Sequence, residues 1–588
     1  MPTYKAPLRE YRFLLNELLD FSQYANLPGF ADAPADLVDA ILEEAAKLTE
    51  EVLLPLNQVG DREGCKLENG VVTTPTGFKE AYKLLVDGGW PALVADTQYG
   101  GQGLPNALGV IFNEMVSSAN MAFGMYPGLS HGAYSALSQH GTPEQKEKYL
   151  PKLVTGEWTG TMNLTEPHCG TDLGLLRSKA VPVGDGSYRI SGQKIFISAG
   201  EHDLAENILH LVLARIEGAP AGVKGISLFL VPKFLVNDDG SLGNRNGVSC
   251  GSLEEKMGIH GNATCVLNYD EAIGWLVGEE HKGLRAMFTM MNEARLGVGL
   301  QGLSQSEVAY QNAVTYALER LQGRSLTGTT AEDKPADPLI VHPDIRRMLL
   351  TMKALTDASR AICYATAVAI DGAHAGETGD KRREAQARAD LLTPIAKSFS
   401  TDIGVETASI GVQIHGGMGF IEETGAAQFL RDARILPIYE GTNGIQAIDL
   451  VSRKLPLGNG DVARGFIAEM RETAKEARSS NDKVLTGIGA ALDDALDTLD
   501  KATDYMLANL KSAPNDCLAG ASPYLRLFGT AAGGHYLASA ALNGGNAARL
   551  SLAQFYAANI LPAVHGLLGP ATAGVESLHA PDSAVFAD

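Results

Sequence analysis

Residues 162–172 read MNLTEPHCGTD, and the character of the sequence changes at this stretch. Before it, apolar residues recur at helical spacing, as at Leu37, Ile41 and Leu48. After it, to about residue 277, short β-rich runs such as SYRISGQKIFISAG alternate with Gly, Asp and Asn turns. No long helical pattern separates these runs, so we predict an antiparallel β domain rather than βαβ units.

Outward from this domain, the pattern predicts helices on both sides. Helical periodicity returns after Gly278, and a polar, proline-containing insertion at residues 327–338 indicates a surface loop. Past about residue 455 the sequence becomes Ala-rich and again helical. The fold class is therefore α+β multidomain, with four predicted domains: an N-terminal helical domain (1–160), a central β domain (161–280), a helical bundle (281–455) and a C-terminal helical extension (456–588).

Composition excludes several classes of protein. The 588 residues include 48 basic and 69 acidic side chains, a net charge of −21 that disfavours nucleic acid and anionic lipid as partners. No run of about 18 apolar residues predicts a membrane span. The six cysteines show no metal-ligand spacing, so we expect no metal and no disulfide framework. With no recognisable signal peptide, the expected location is the cytoplasm.

Two short motifs lack the structural context that their chemistry requires. Residues 297–302, GVGLQG, match the GxGxxG dinucleotide fingerprint, which needs a preceding strand. The preceding MFTMMNEARL favours a helix, so we interpret these glycines as sites of close helix packing. Residues 128–132, GLSHG, match the GxSxG elbow of hydrolases, but no buried strand precedes Ser130. Hydrolysis through Ser130 is a minor alternative, and Ser130 and His131 are candidate pocket residues.

Four separated segments carry complementary chemistry. Segment 162–172 offers hydroxyls and backbone amides on a glycine-containing turn, and segment 192–198, GQKIFIS, predicts a strand with an aromatic residue and a terminal hydroxyl. Segment 413–420, QIHGGMGF, is a glycine-rich turn that lets backbone approach a ligand closely. Segment 438–444, IYEGTNG, places one carboxylate, that of Glu440, beside a glycine.

In order and spacing, TEPxxGTD, GQKIFIS, QIHGGMGF and IYEGTNGIQ resemble the acyl-CoA dehydrogenase family over roughly residues 35–455. The resemblance implies an N-terminal helical domain, a central antiparallel β domain and a helical bundle, followed here by the C-terminal helical extension. The start of the chain and its Ala-rich tail are similar to a long subgroup of that family. This subgroup includes enzymes that act on 3-methylmercaptopropionyl-CoA.

The resemblance also implies a reaction. Glu440 would remove the α-proton of an acyl thioester, and the β-hydrogen would leave as hydride to FAD, giving a trans-2-enoyl-CoA. Because an α-C–H is a weak acid, the carboxylate needs a desolvated pocket that raises its pKa toward working pH. The backbone N–H of Glu440 and a ribityl hydroxyl of FAD would stabilise negative charge on the thioester oxygen.

The subgroup resemblance implies that 3-methylmercaptopropionyl-CoA is converted to methylthioacryloyl-CoA in dimethylsulfoniopropionate breakdown. A general short-, medium- or long-chain fatty acyl-CoA dehydrogenase and an acyl-CoA oxidase are the alternatives. A catalytically silent acyl-CoA-binding scaffold is a further rival. The expected partners are the acyl-CoA substrate, electron-transferring flavoprotein as electron acceptor, and further copies of the chain in a homodimer or a dimer of dimers.

Cofactor and substrate residues follow from the resemblance, position by position. The FAD contacts are expected at Met162, Leu164, Thr165, Gly170, Thr171, Phe196, Ser198, Arg320, Gln413, Gly417 and Thr442. The substrate contacts are expected at Arg295, Asn292, Thr171, Tyr439 and Gly441. Arginine suits the phosphates of FAD and CoA because it offers a permanent charge and several donors.

This chain departs from the family pattern at a few positions. His168 and Cys169 replace small residues in the first turn, so that turn is expected to be bulkier or reshaped. Thr171 keeps a hydroxyl where serine is usual, and Gly444 stands where a longer side chain is common. The mechanism needs no second base, so we expect His168 and His415 to be structural.

Overall fold

The computed structural model describes residues 2–543, 546–579 and 585, and these residues form two units. One unit consists of Asp32–Gly297, and the other combines Met1–Ala31 with Val298–Asp588. In chain order, the α-helices described are α1 (Leu8–Phe13), α2 (Ala35–Lys47), α3 (Leu54–Glu63), α4 (Phe78–Asp87), α5 (Asn106–His140), α6 (Pro143–Thr155), α7 (Gly283–Glu319), α8 (Pro343–Ala375), α9 (Gly379–His415), α10 (Ala426–Ala433), α11 (Asn443–Asp449), α12 (Asp461–Arg478), α13 (Lys483–Asn509), α14 (Pro514–Ala519), α15 (Ala521–Asn543), α16 (Ala547–Asn559), α17 (Ala563–Thr572) and α18 (Glu576–His579).

The described β-strands all lie in the unit of residues 32–297. They are β1 (Lys66–Glu68), β2 (Val71–Thr73), β3 (Trp158–Asn163), β4 (Lys179–Pro182), β5 (Ser187–Ser198), β6 (Asn207–Ile216), β7 (Ile226–Pro232), β8 (Phe234–Val236), β9 (Leu242–Arg245), β10 (Val248–Leu253) and β11 (Thr264–Val277). The strands β4 to β7 and β11 pair in a closed ring in the order β11–β5–β4–β6–β7–β11, and β3 and β10 are attached to it. The predicted central β domain is therefore barrel-like.

One edge of β6 corrects the expectation of a purely antiparallel domain. Both β3 and β4 pair with β6 in parallel, whereas the other strand pairs are antiparallel. The chain leaves β3, makes an excursion over residues 164–178, and resumes in β4 in the same direction along the same edge of β6. The first motif, 162–172, is thus a turn projecting from the barrel between two collinear strands.

Alternating side chains on β6 divide the apolar core of this unit into two layers. Leu209, Leu211 and Leu213 pack with residues of the surrounding helices. Val212 and Ala214 belong to a second cluster within the strands. This period of two is what a strand buried on both faces requires.

Helix α5 is bent at Asn120, where the backbone leaves helical geometry at φ −158° and ψ 90°. The Asn120 side chain accepts a hydrogen bond of 3.1 Å from the Phe123 N–H and so caps the second segment. A Cβ atom on Gly124 would lie 3.1 Å from Val116, so the two segments fold back closely on each other. The GxSxG match lies within the second segment, and this helical setting excludes a hydrolase elbow.

The glycines of the GxGxxG match lie inside α7, and two of them, Gly299 and Gly302 in the other unit, allow close packing on α9. A Cβ atom on Gly299 would lie 2.9 Å from the Ala396 carbonyl oxygen, and one on Gly302 would lie 2.4 Å from that of Ser400. The interpretation as packing sites is confirmed for Gly299 and Gly302, but it is wrong for Gly297, where a Cβ atom would have no described atom within 4 Å. The predicted surface loop at 327–338 is largely exposed around a buried carboxylate, that of Asp337. Backbone hydrogen bonds, foremost from Ser325, hold the pKa of Asp337 well below its usual range.

The C-terminal extension packs around α15, a helix rich in small residues. A Cβ atom on Gly529 would lie 2.6 Å from the ring of Phe399 on α9, and one on Gly533 would lie 2.9 Å from Ala358 on α8. Extension and bundle therefore share one core. Among the residues that the structure describes, no helix combines the length and apolarity needed to cross a membrane.

Candidate active site

A β-bulge in β5 turns Phe196 outward. Lys194 pairs with Leu267 of β11 and Ile197 pairs with Cys265, so three steps along β5 match two along β11. Phe196 takes the left-handed backbone conformation, with φ 59°. Lys194 and Ile197 are buried as a result, whereas the Phe196 side chain is 59% exposed. Bulges often re-aim a side chain beside a functional site, and an exposed ring suits a planar aromatic ligand such as a flavin.

The projecting turn after β3 is held by a buried ion pair. Lys194 Nζ donates to the Leu164 carbonyl oxygen at 3.0 Å and to the Glu166 carboxylate at 2.9 Å. The same carboxylate accepts hydrogen bonds from the Arg177 N–H at 2.7 Å and from the Ser178 N–H and hydroxyl at 3.0 and 2.7 Å. Burial raises the pKa of Glu166, but the Lys194 charge and these donors outweigh it, so the pKa lies below its usual range.

The predicted flavin residues of the first two motifs come together in this unit. The Ile195 N–H donates to the Thr165 carbonyl oxygen at 2.9 Å, which joins the turn to β5. Met162 and Leu164 are half-buried against the core, whereas Gly170 and Thr171 are exposed. Thr165 and Ser198 are half-buried. The turn thus presents backbone and hydroxyl groups beside the exposed Phe196 ring, an arrangement that fits FAD.

His168 and Cys169 are held within the turn by hydrogen bonds. The backbone N–H and C=O of Cys169 pair with those of Glu166, and His168 Nε2 donates to the Leu175 carbonyl oxygen at 3.0 Å. Ligand atoms of Glu166, His168 and Cys169 lie within 4.8 Å of one another. The Glu166 carboxylate is already engaged by Lys194, Ser178 and Arg177, so this arrangement stabilises the turn and we assign no metal to it.

The predicted base lies on a strained turn in the other unit. Glu440 and Gly441 are consecutive left-handed residues, with φ 55° and 82°. For a side chain other than glycine this conformation costs about 1–3 kcal/mol, so neighbouring contacts must hold it. Gln446 Nε2 donates to the carbonyl oxygens of both residues at 3.2 Å. Lys397 Nζ donates to the Gly441 carbonyl oxygen at 2.9 Å.

Residues beside Glu440 are also fixed. The Tyr439 hydroxyl donates to Gln301 Oε1 on α7. Burial and the neighbouring Glu440 charge raise the pKa of Tyr439 far above its usual value, so its hydroxyl stays protonated. The Thr442 hydroxyl accepts a hydrogen bond of 3.3 Å from the Ile445 N–H and caps α11. Glu440 itself is partly accessible, as a base that must reach substrate requires.

Gln413, in the last turn of α9, and Gly417, in the glycine-rich turn that follows, are both exposed. His415 is buried, its ring stacks on Tyr316 at 4.5 Å, and its Nδ1 donates to the Gly411 carbonyl oxygen at 2.7 Å. These contacts fit the predicted structural role. Arg320 is exposed where α7 ends.

The predicted CoA residues lie on the part of α7 that belongs to the unit of residues 32–297. Arg295 Nη1 donates to Asn292 Oδ1 at 3.3 Å, and the Arg295 side chain is largely buried. The site residues therefore divide between the two units. The unit of residues 32–297 contains the first two motifs, Asn292 and Arg295. The other unit contains Arg320, Gln413, Gly417 and residues 439–442.

Sequence reasoning missed the residues that support both turns. Lys194 and Glu166 stand within quoted motifs, and a lysine inside the β-rich GQKIFIS run is a signal of a buried pair. Lys397 and Gln446 hold the Glu440 turn. Gln446 stands within the quoted IYEGTNGIQ motif, whereas nothing in the helical sequence around Lys397 distinguishes it from a surface residue. Their role depends on contacts that only the folded chain makes.

Family models match most of the chain. Residues 38–157, 161–272 and 281–455 match the N-terminal, middle and C-terminal domains described for acyl-CoA dehydrogenases. Residues 466–582 match the description "Acetyl-CoA dehydrogenase C-terminal like".

Individual relatives cover most of the chain. A 3-methylmercaptopropionyl-CoA dehydrogenase of Ruegeria pomeroyi is 47% identical over 95% of this chain and 96% of its own length. A butyryl-CoA dehydrogenase of Syntrophomonas wolfei is 35% identical over 84% of this chain and 82% of its own. The crystal structure of Caenorhabditis elegans ACDH-11 with C11-CoA superposes with a TM-score of 0.80 at 20% identity, covering 100% of this chain and 96% of that one. This last likeness supports the fold.

Proposed function

The chain belongs to the acyl-CoA dehydrogenase family, and on that premise we propose that it oxidises 3-methylmercaptopropionyl-CoA to methylthioacryloyl-CoA with FAD, a step in dimethylsulfoniopropionate breakdown. The main support for the substrate is the 47% identity, over nearly the whole chain, with a relative of that name. The main support for the reaction is the strained turn that holds a partly accessible carboxylate at Glu440.

Each role in the proposed reaction follows from a group described above. Bound FAD supplies the acceptor for the β-hydrogen. Glu440 takes the α-proton, and its own backbone N–H stabilises the thioester oxygen, whose negative charge grows as the proton leaves. The exposed ring of Phe196 and the turn at 164–171 hold the flavin, and Arg295 with Asn292 binds the CoA moiety.

A small cavity in the unit of residues 32–297 supports a short acyl group. Its volume is about 60 Å³, and it is lined by both segments of α5, by residues between 82 and 94, and by the end of α6. The Trp90 ring stacks on the Phe112 ring at 4.4 Å on one side, and His131 and Tyr134 line the other. We propose that this cavity receives the acyl terminus, because it has room for only a few heavy atoms.

The remaining partners complete the proposal. Electron-transferring flavoprotein would accept the electrons, the chain would act as a homodimer, and the enzyme would work in the cytoplasm. The first test is anaerobic bleaching of bound flavin by 3-methylmercaptopropionyl-CoA, butyryl-CoA and palmitoyl-CoA. Fast bleaching by the first two and little by the third is expected. Faster bleaching by palmitoyl-CoA would contradict the proposed substrate class.

Substitution of the proposed base, Glu440, tests proton removal separately from the binding of FAD and acyl-CoA. Glu440→Gln is expected to keep yellow FAD and bind acyl-CoA, yet bleach at least roughly a hundredfold more slowly, as for a lost general base. Glu422→Gln is the matched control, since Glu422 is an exposed carboxylate of the same unit that pairs with Arg431 at 2.7 Å. Near-normal reduction of Glu440→Gln would remove Glu440 from the mechanism. Peroxide release under air would favour an oxidase, and no bleaching with any thioester would favour a binding scaffold.

A further inference from the structure

We propose that Lys397 is a positioning residue for the reaction, acting through the backbone of the Glu440 turn. This inference rests on the proposed role of Glu440 as the base. Lys397 lies on α9, its side chain is fully buried, and its Nζ atom is 2.9 Å from both the Gly441 carbonyl oxygen and Asn443 Oδ1. A buried ammonium group persists only where strong acceptors surround it, so these contacts are specific.

The turn needs such an anchor because two consecutive residues are left-handed. The backbone conformation of the turn sets the direction of the Glu440 side chain. The Gly441 carbonyl oxygen is the first hydrogen-bond acceptor along the chain after the peptide group that follows Glu440. Gln446 Nε2 holds the carbonyl oxygens of Glu440 and Gly441 from α11, and Lys397 holds that of Gly441 from α9. Side chains from two helices, α9 and α11, thus donate hydrogen bonds to the same short turn.

Asn443 makes the anchor rigid. Its Nδ2 atom donates to Asp402 Oδ1 at 2.7 Å and lies 3.0 Å from the Thr401 hydroxyl and 3.2 Å from the Ser398 carbonyl oxygen. One face of α9 therefore holds both the amide of Asn443 and, through Lys397, the Gly441 carbonyl oxygen. The two ends of the segment Gly441–Asn443 cannot shift without breaking their hydrogen bonds with the buried ammonium group of Lys397.

A base must meet a C–H bond in a narrow range of geometry, and a displacement of about 1 Å can cost a hundredfold in rate. Lys397→Met removes the charge and donors while keeping the length of the side chain. We expect flavin bleaching to slow tenfold to a hundredfold, with FAD content and acyl-CoA affinity within about twofold of the unsubstituted enzyme. Lys353→Met is the matched control, because Lys353 is a lysine of the same unit that pairs with Asp357 at 2.7 Å. Its bleaching rate should stay within about twofold.

Combining substitutions distinguishes positioning from general stability. If Lys397 acts only through Glu440, then Lys397→Met in the Glu440→Gln background should slow bleaching less than about twofold further. Additive losses, or a normal rate for Lys397→Met, would overturn the inference. A normal rate for Glu440→Gln would instead overturn the proposed function, so the two failures are distinguishable.

A second variant covers the case in which Lys397→Met does not fold. Gln446→Met removes the neutral donor to the same turn and should slow bleaching at least fivefold, again without further loss in the Glu440→Gln background. A normal bleaching rate for Gln446→Met would then contradict the proposal that the Glu440 turn controls the rate. Acyl-CoA affinity, measured calorimetrically in the Glu440→Gln background, should be unchanged by either substitution.

Discussion

The guanidinium of Arg549 donates two hydrogen bonds to the carboxylate of Glu10, at 2.9 and 3.0 Å, although 539 residues separate them in sequence. Arg549 also lies over the Phe13 ring, 3.3 Å from its centroid. The Thr3 N–H and carbonyl oxygen pair with the Asn312 side chain. These contacts group residues 1–31 with the C-terminal unit rather than with the predicted domain of residues 1–160.

Glu10→Gln should weaken this attachment. The two side chains are only 16% and 18% exposed, so loss of a charged bidentate pair is expected to cost about 1–3 kcal/mol. Proteolysis within residues 2–13 and the melting temperature of this unit are the measurements. Glu17→Gln, an exposed neighbour, is the control and should change neither.

The same pair predicts a pH dependence. Burial raises the pKa of Glu10, but the Arg549 hydrogen bond and nearby cations outweigh it, so the folded pKa lies below the usual 4.5. The stabilisation is therefore present above pH about 4.5 and is lost as the pH falls through the folded pKa. The difference between the unsubstituted chain and Glu10→Gln should shrink in that acid range; a constant difference would exclude the pair as its source.

Lys194→Met should release the flavin turn. It leaves the buried Glu166 carboxylate without its cation, which typically costs about 3–5 kcal/mol, and frees the Leu164 carbonyl oxygen. The ratio of flavin to protein absorbance should fall, and FAD titrated into apoprotein should bind more weakly. Lys194→Met with Glu166→Gln removes both charges and should recover part of the lost stability. Equal stability of the single and double variants would contradict a role for the ion pair.

Two substitutions at Phe196, in the β-bulge, should have the same effect on FAD binding but different effects on stability. Phe196→Gly and Phe196→Ala both remove the exposed ring, so both should weaken FAD binding. Only glycine relieves the left-handed backbone at φ 59°, so the apoprotein should be about 1 kcal/mol more stable with glycine than with alanine. Denaturant unfolding of the two apoproteins measures this difference, and unchanged FAD affinity in both variants would argue against flavin contact by the ring.

Loss of the His260 proton should make the unit of residues 32–297 less stable at alkaline pH. Its Nδ1 lies 3.0 Å from the Asp61 carboxylate and its Nε2 lies 2.7 Å from the Lys256 carbonyl oxygen. The hydrogen bond with Asp61 raises the pKa of His260 to about 9. Its stabilisation is complete below the unfolded pKa of about 6.5 and is lost as the pH rises through 9.

This loss should amount to about 1 kcal/mol, since the His260 side chain is 31% exposed and solvent weakens the pair. Thermal melts of the unsubstituted chain and His260→Gln between pH 6 and 10 test it. The two should differ at pH 6 and converge near pH 10. A difference that stays constant with pH would show that protonation of His260 contributes nothing.

Phe112→Ala should shift selectivity if the cavity lined by α5 and Trp90 receives the acyl terminus. Phe112 is buried and stacks on Trp90, so its removal enlarges the cavity. Bleaching by hexanoyl-CoA should rise relative to 3-methylmercaptopropionyl-CoA, by up to about tenfold to a hundredfold, since a methylene is worth about 1–3 kcal/mol. Tyr82→Phe alters the same lining without enlarging it and should keep the original preference. An unchanged ratio in Phe112→Ala would place the acyl terminus elsewhere.

The sequence alone determined the order of helical and β segments and the four motifs. These are properties of contiguous residues: periodicity, turn residues, and a carboxylate beside a glycine in residues 438–444. The helical setting of the GxGxxG and GxSxG matches was also predictable, since each motif requires local strand context that is missing.

Only the tertiary structure decided how the two turns are held. Lys194 contacts Leu164 across 30 positions, Lys397 contacts Gly441 across 44, and Arg549 contacts Glu10 across 539. The parallel pairing of β3 and β4 with β6, and the bulge that exposes Phe196, likewise depend on partner strands. Local propensity does not encode such contacts, because the free energy that selects them comes from burying charges and backbone groups among residues distant in sequence.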